Sequence, residues 1–313
     1  MGAMAMVVFH RLLPQTWTWA PSRVSFLRIQ INALECSHTP CYKPMNFEWG
    51  VLGYGQMAQA LVCPLLSEGF LLPEQVVACV RNPQRAQTLS QHHGLRVGTD
   101  LGPVLMANHL LLACKPQQLQ TVLEARTALE PPAKEGEGLV ISILAGVPLG
   151  RLQAAFPQRQ CIRAVPNIAC RVKAGLTGLA MGALVSPENR QRATAFFAPL
   201  GQVEHVGEAQ MDAFLALAAS GPAMVAVMVE SLADGGVAAG LPRAQANAMA
   251  QAMVAGSITL LQKEQLAPSA LKEAVCSPAG TTIAAIAELE RRSFRAALMD
   301  AVLAAQHRSR ELG

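Results

Sequence analysis

Two short stretches combine residue types that chemistry can use. The first is Gly50-Val51-Leu52-Gly53-Tyr54-Gly55-Gln56-Met57-Ala58, in which Gly53, Gly55 and Ala58 fit G-x-G-x-x-A. Gly53 permits a tight turn, Gly55 lets a pyrophosphate approach the backbone, and Ala58 lets a helix sit close to a strand. Amides at Gln56 and Met57 then face phosphate charge. Alone the pattern is weak; directly after a strand and opening a helix it predicts a dinucleotide site, with a plain strand-to-helix turn as the alternative. The second stretch is Ser277-Pro278-Ala279-Gly280-Thr281-Thr282. A glycine-containing turn that leads into a helix presents free amides, which favour a carboxylate, and Ser277 adds a hydroxyl. From these residues alone, an N-cap pair starting a helix is the favoured reading.

The choice of dinucleotide falls on Ala78-Cys79-Val80-Arg81-Asn82-Pro83. A domain built for NAD places an acid here for the ribose 2′-hydroxyl, but no acid occurs between Glu74 and Asp100. Arg81, with Asn82 beside it, is placed to receive a 2′-phosphate, which predicts NADPH over NADH; a surface arginine is the plain alternative. Ala113-Cys114-Lys115-Pro116 ends a further strand, where open sheets bind ligands. Lys115 reads equally as a ribose contact or a solvated side chain, and Cys114 as packing. Asn167, after Pro166 at another strand end, is a candidate for the nicotinamide side, with an Asx turn as the alternative. Glu230 and Asp234 share a helix face and read equally as ligands or as solvated residues.

The elements that must hold these residues follow from periodicity. Residues 45–206 alternate apolar runs (Phe47–Leu52, Val76–Val80, His109–Ala113, Leu139–Leu144, Cys161–Val165) with helical stretches such as Gln56–Glu68 and Gln117–Leu129. That alternation predicts an α/β fold, a Rossmann-like parallel sheet domain. Residues 207–313 read as helices alone: Ala209–Ala219, Ala223–Ala239, Arg243–Lys263, Ser269–Val275, Thr281–Leu289 and Phe294–Arg310. Gly240-Leu241-Pro242 separates two of them. Between His205 and Lys263 the only charged residues are Glu208, Asp212, Glu230, Asp234 and Arg243. Helices apolar nearly all round must be covered on several sides, which one domain of this size cannot do; an interlocked homodimer is the expectation. Residues 1–44 carry two of the three tryptophans and lack periodicity. They are expected to be a disordered extension, a transit peptide or the product of an early start, with Met45 the favoured natural start.

Composition closes off other classes. Four of the 25 basic residues and one of the 21 acidic ones fall in 1–44, leaving 21 against 20 and no basic stripe for nucleic acid. The eight cysteines form no CxxC pair and the seven histidines no HExxH, so no metal site is expected and the thiols read as free in a reducing, cytoplasmic setting. The longest apolar run, Ala213–Val229, is interrupted by Ser220-Gly221-Pro222 and falls short of the ~20 residues of a spanning helix, so no membrane is expected.

From Met45 nearly to the C-terminus the chain resembles pyrroline-5-carboxylate reductases, in GYGQMAQAL (53–61), ACKPQQL (113–119), ISILAGV (141–147), IRAVPN (162–167), ASGPA (219–223), ESLADGGVAAGLP (230–242), SPAGTTI (277–283) and FRAALMDAV (294–302). The resemblance implies an all-α dimerisation domain after the sheet domain, homodimers often assembled as pentamers of dimers, and hydride transfer from NAD(P)H to the C=N carbon of 1-pyrroline-5-carboxylate. It implies that Thr282 hydrogen-bonds the ring nitrogen and that Ser277, Ala279, Gly280 and Thr281 help bind the substrate, reversing the N-cap reading. Family glycines are replaced by Ala219 and Ala279, and MPNTP appears as Val165-Pro166-Asn167-Ile168-Ala169. Three other functions stay open at this level. They are reduction of a related cyclic imine acid, a β-hydroxyacid dehydrogenase, whose base lysine has no match at Lys263 or Lys272, and an NADPH-binding regulator without turnover.

Overall fold

The computed structural model describes residues 47–129 and 138–312. The expectations for residues 1–44 therefore lie outside the described residues. The first half alternates β1 (Trp49–Leu52), α1 (Gln56–Ser67), β2 (Val76–Cys79), α2 (Pro83–His93), β3 (Arg96–Gly98), α3 (Gly102–Leu105), β4 (His109–Leu112), α4 (Leu119–Leu129), β5 (Leu139–Ser142), α5 (Leu149–Ala155), β6 (Gln160–Pro166), β7 (Gly175–Met181), α6 (Pro187–Phe197) and β8 (Gly201–His205). All four residues of β1, β2, β4 and β5 are buried, as unbroken apolar runs require when helices cover both faces of a sheet. One core layer holds Trp49, Val51, Leu61, Val76 and Phe197. The other holds Leu52, Val77, Leu110, Leu112 and Phe156.

Among the described residues the sheet has eight strands in the order β3-β2-β1-β4-β5-β6-β7-β8. β1 to β6 are parallel; β7 pairs antiparallel with β6, and β8 runs with β7. The expected Rossmann-like parallel sheet is thus extended by an antiparallel junction at β7, and neither β7 nor β8 is marked by an apolar run. β7 is Gly-Leu-Thr-Gly-Leu-Ala-Met, whose glycines serve packing rather than strand propensity. A Cβ at Gly178 would stand 2.8 Å from the Phe214 ring, and Gly201, at φ 140°, closes onto the backbone of Gly175.

Among the described residues no strand follows His205, and the elements are α7 (Met211–Phe214), a π turn over Leu215–Ala219, α8 (Gly221–Ala238), α9 (Arg243–Lys263), α10 (Pro268–Val275), α11 (Thr281–Arg291) and α12 (Phe294–Leu312). Ser220-Gly221-Pro222 does not interrupt this run as the sequence suggests. The amide of Ser220 donates to the Leu215 carbonyl at 3.0 Å, an i to i−5 bond, and Pro222 sits where a helix start needs no N–H. The helical stretch Glu208–Ala238 is thus long and apolar enough to cross a membrane by length and composition.

Buried Arg163 on β6 joins the two halves. It donates to Glu208 at 3.0 Å and to Asp212 at 3.3 Å, and Asp212 also accepts from Ser309 Oγ of α12 at 2.8 Å. Beyond this junction little is covered. α8 and α9 bury Ala233, Ala246 and Ala250 against each other, and α10 and α11 bury no residue. Val227 is 63% exposed, Met253 50% and Met299 65%.

Candidate active site

The register of the parallel strands brings three chain turns level. Leu52 pairs with both Cys79 and Leu112, so β1, β2 and β4 end side by side. The Gly53 amide donates to the Cys79 carbonyl at 3.0 Å, and the Ala113 amide to the Leu52 carbonyl at 2.9 Å. Gly53, Arg81-Asn82 and Cys114-Lys115 therefore emerge at one edge of the sheet, at the point where strand order reverses and open α/β sheets take their ligands.

Gly53 has φ 90°, and a Cβ there would lie 2.8 Å from Ala113 O and from the Cys114 backbone, so no other residue fits. Gly55 differs: a Cβ built on it meets no protein atom within 4 Å. Packing does not demand this glycine; it leaves the backbone ahead of α1 open to a ligand. No side chain caps α1 and its first turn holds no acid, so the amides of Gln56 and Met57 keep their positive end available. Ala58 is buried, and Tyr54 turns inward with 1% exposure. These features fit a pyrophosphate.

Arg81 is exposed and makes no ion pair among the described residues. Asn82 accepts from the Arg85 amide at 2.9 Å and caps α2. Lys115 is exposed, while its amide donates to Gln118 at 3.1 Å, and Pro116 opens the turn into α4. Burial pushes the Cys114 thiol up from its ordinary value, which suits packing rather than nucleophilic work. Asn167 is buried and already engaged. Its Oδ1 accepts from Ala169 and Leu176 amides at 3.2 Å each, and its Nδ2 donates to the Ala218 carbonyl at 3.2 Å. The Asx turn is therefore present, and Asn167 also ties the end of β6 to the π turn.

The second constellation is a turn closed by the Gly280 amide donating to the Ser277 carbonyl at 3.1 Å. Ala279 sits at φ 55°, in the left-handed region. A Cβ on Gly280 would collide with Ser277 Oγ at 2.3 Å. No side chain caps α11, so the amides of Thr281 and Thr282 stay free and the N-cap reading of this stretch is not what forms. Ser277, Ala279 and Thr281 are exposed, Gly280 and Thr282 half-buried. Among the described residues, no hydrogen bond or ion pair links this turn to the sheet domain of its own chain. Asp234 pairs with Arg243 at the α8–α9 junction, a structural contact. The sequence reading missed Arg163. Its signal is an arginine inside the apolar strand Cys161–Val165, which obliges nearby acids to be found.

Comparison with known proteins now decides the family. Residues 208–312 match the model described as pyrroline-5-carboxylate reductase dimerisation. Residues 48–146 match the model described as NADP oxidoreductase coenzyme F420-dependent. The pyrroline-5-carboxylate reductase of Synechocystis is 42% identical over 270 residues, 86% of this chain and 99% of that protein. That of Escherichia coli is 34% identical over the same shares. The chain belongs to the pyrroline-5-carboxylate reductase family. A solved family structure from Plasmodium falciparum, with NADP bound, superposes with TM-score 0.77 at 25% identity, covering 86% of this chain and 99% of that one. One from Coxiella burnetii gives 0.76 at 28%, with the same coverage. The helical half matches a dimerisation domain, which supports homo-oligomerisation. The cofactor is a nicotinamide dinucleotide.

Proposed function

We propose that this enzyme reduces the C=N bond of 1-pyrroline-5-carboxylate to give L-proline, the last step of proline biosynthesis, with NADPH as the preferred donor. The observation that carries the reading is the uncapped start of α11 behind the Ser277–Gly280 turn, with Thr282 in its first turn. When bound, the cofactor supplies the hydride. Gly53, Gly55 and the first amides of α1 hold its pyrophosphate, and Arg81 its 2′-phosphate. The free amides of Thr281 and Thr282, with Ser277, take the substrate carboxylate. The Thr282 hydroxyl donates to or accepts from the ring nitrogen and so sets which carbon faces the hydride. No histidine or carboxylate pair is needed if the imine arrives protonated from water.

The exposure of the turn and its lack of bonds to its own sheet domain support a site completed on dimerisation, where the turn of one subunit faces a nicotinamide. Assembly of dimers into pentamers and a cytoplasmic location belong to the same reading. NADPH oxidation assayed with pyrroline-5-carboxylate, pyrroline-2-carboxylate and piperideine carboxylates tests it. Thr282→Ala is expected to lower kcat/KM about tenfold, the scale of one lost hydrogen bond, with the NADPH dissociation constant unchanged. Binding of NADPH without oxidation in the wild type would favour the regulator reading, and an unchanged kcat/KM in the variant would remove Thr282 from the mechanism.

A further inference from the structure

We infer that Asn167 is a positioning residue for imine reduction: with Pro222 it pins the π turn Leu215–Ala219 at the nicotinamide end of the cofactor site. The inference rests on the reading of Gly53–Ala58 and Arg81 as the dinucleotide site. In a sheet ordered β3-β2-β1-β4-β5-β6, one half of a dinucleotide lies over β1 and β2 and the other over the ends of β4, β5 and β6. Arg81 follows β2, on the adenosine side. The nicotinamide side is then the edge where β4 to β6 end, at Cys114, Leu144 and Asn167.

The π turn stands at that edge. Its Leu215 and Ala219 pack on the same core layer as Cys114, Leu144 and Val165. Pro222, in the first turn of α8, has no N–H, so the carbonyl four residues back, Ala218, loses the donor that an α-helix supplies. The Ala223 amide donates to the Ser220 carbonyl at 3.1 Å and the Ser220 amide to the Leu215 carbonyl at 3.0 Å, so both are engaged elsewhere. Ala218 is 7% exposed, and a buried carbonyl without a donor is costly. Asn167 Nδ2 supplies the missing bond at 3.2 Å. Its aim is fixed, because Oδ1 is held by the Ala169 and Leu176 amides at 3.2 Å each. The side chain is thus buried, locked in orientation and engaged with the carbonyl that Pro222 orphans. It acts on the reaction through the turn rather than by touching the cofactor.

The two ends of the cofactor respond differently to loss of this bond. Contacts to adenosine and pyrophosphate lie at β1 and β2 and keep the affinity. A ring displaced by about 1 Å loses its attack geometry, which lowers the rate by up to about a hundredfold.

Variants of the full-length enzyme, loaded with NADPH, test the inference. Asn167→Asp keeps the acceptor for both amides and puts an oxygen in place of the donor to Ala218. Pro222→Ala gives Ala218 a donor from its own helix and releases it from Asn167; it carries the test if Asn167→Asp does not fold. Each is expected to keep the NADPH dissociation constant within about twofold, to change the fluorescence of the bound nicotinamide, and to slow single-turnover oxidation of NADPH by pyrroline-5-carboxylate about tenfold at full amplitude. The double variant is expected to lose about tenfold as well, because both changes undo one bond, whereas a loss of about a hundredfold means independent effects and overturns the inference. Lost amplitude with an unchanged rate constant would make Asn167 a folding residue only, and unchanged fluorescence and rate would overturn its role outright. If the wild type binds NADPH without oxidising it, imine reduction fails, and the fluorescence of the variants still decides the role of Asn167.

Discussion

On the proposed reading, Arg81 distinguishes the two nicotinamide dinucleotides by charge. A guanidinium facing a 2′-phosphate gains a charge-assisted bond that NADH cannot supply, worth about 1.5–3 kcal/mol. Arg81→Ala is therefore expected to cut the NADPH-over-NADH preference in kcat/KM by roughly tenfold to a hundredfold, mostly through the KM for NADPH, as comparative kinetics would read. A variant that keeps its preference would make Arg81 a solvated side chain. At this scale the sequence is informative where backbone conformation dictates the residue. Gly53 is legible because its left-handed φ and the crowding by Ala113 and Cys114 allow nothing larger. Asn167 is less legible, because an asparagine after a strand looks alike whether it faces a ligand or, as here, spends its oxygen on two backbone amides. Arg163 escapes because its partners, Glu208 and Asp212, stand 45 and 49 positions away in sequence.

Two elements hold testable energy. The turn before α11 places Ala279 at φ 55°, where a Cβ strains against the backbone and glycine does not. Ala279→Gly is expected to stabilise the protein by about 0.5 kcal/mol, because relief of that strain exceeds the added unfolded-state entropy, and to raise Tm slightly. β4 begins with His109, which is 6% exposed and accepts from the Leu139 amide through Nδ1 at 3.3 Å. Burial, then the charges of Arg192 and Arg159, bring its pKa down to about 4. The native state thus binds fewer protons than the unfolded chain between pH 6.5 and 4, so stability is full above that window and falls as pH drops through it. The loss is about 2 kcal/mol after discounting for solvent screening, and urea unfolding of wild type and His109→Gln at pH 7 and pH 4.5 would read it. Strands β1, β2, β4 and β5 are legible because burial on both faces leaves continuous apolar runs. β7 and β8 are not, because their glycines answer to Phe214 and to one another rather than to any local period.

The molecule as a whole makes sense only with a second copy. Val227 and Met253 are at least half exposed, on α8 and α9, whose charge is too sparse to solvate them, and Met299 on α12 is 65% exposed. Light scattering is expected to give a dimer or a multiple of one, and Met253→Glu to weaken assembly and lower activity together; a folded, active monomer would refute this. The need for a partner is legible in the composition of 207–263, but how its faces meet is not, since Ala-rich helices permit many packings. In the proposed site a carboxylated ring is held between the nicotinamide and the Thr282 turn. A crystal structure of the dimer with NADP and proline measures it directly. The ring carbon is expected about 3–3.5 Å from the reactive nicotinamide carbon, with the ring nitrogen on the Thr282 hydroxyl and the carboxylate on the α11 amides. Proline bound elsewhere, with that turn remote from the nicotinamides of both subunits, would contradict it.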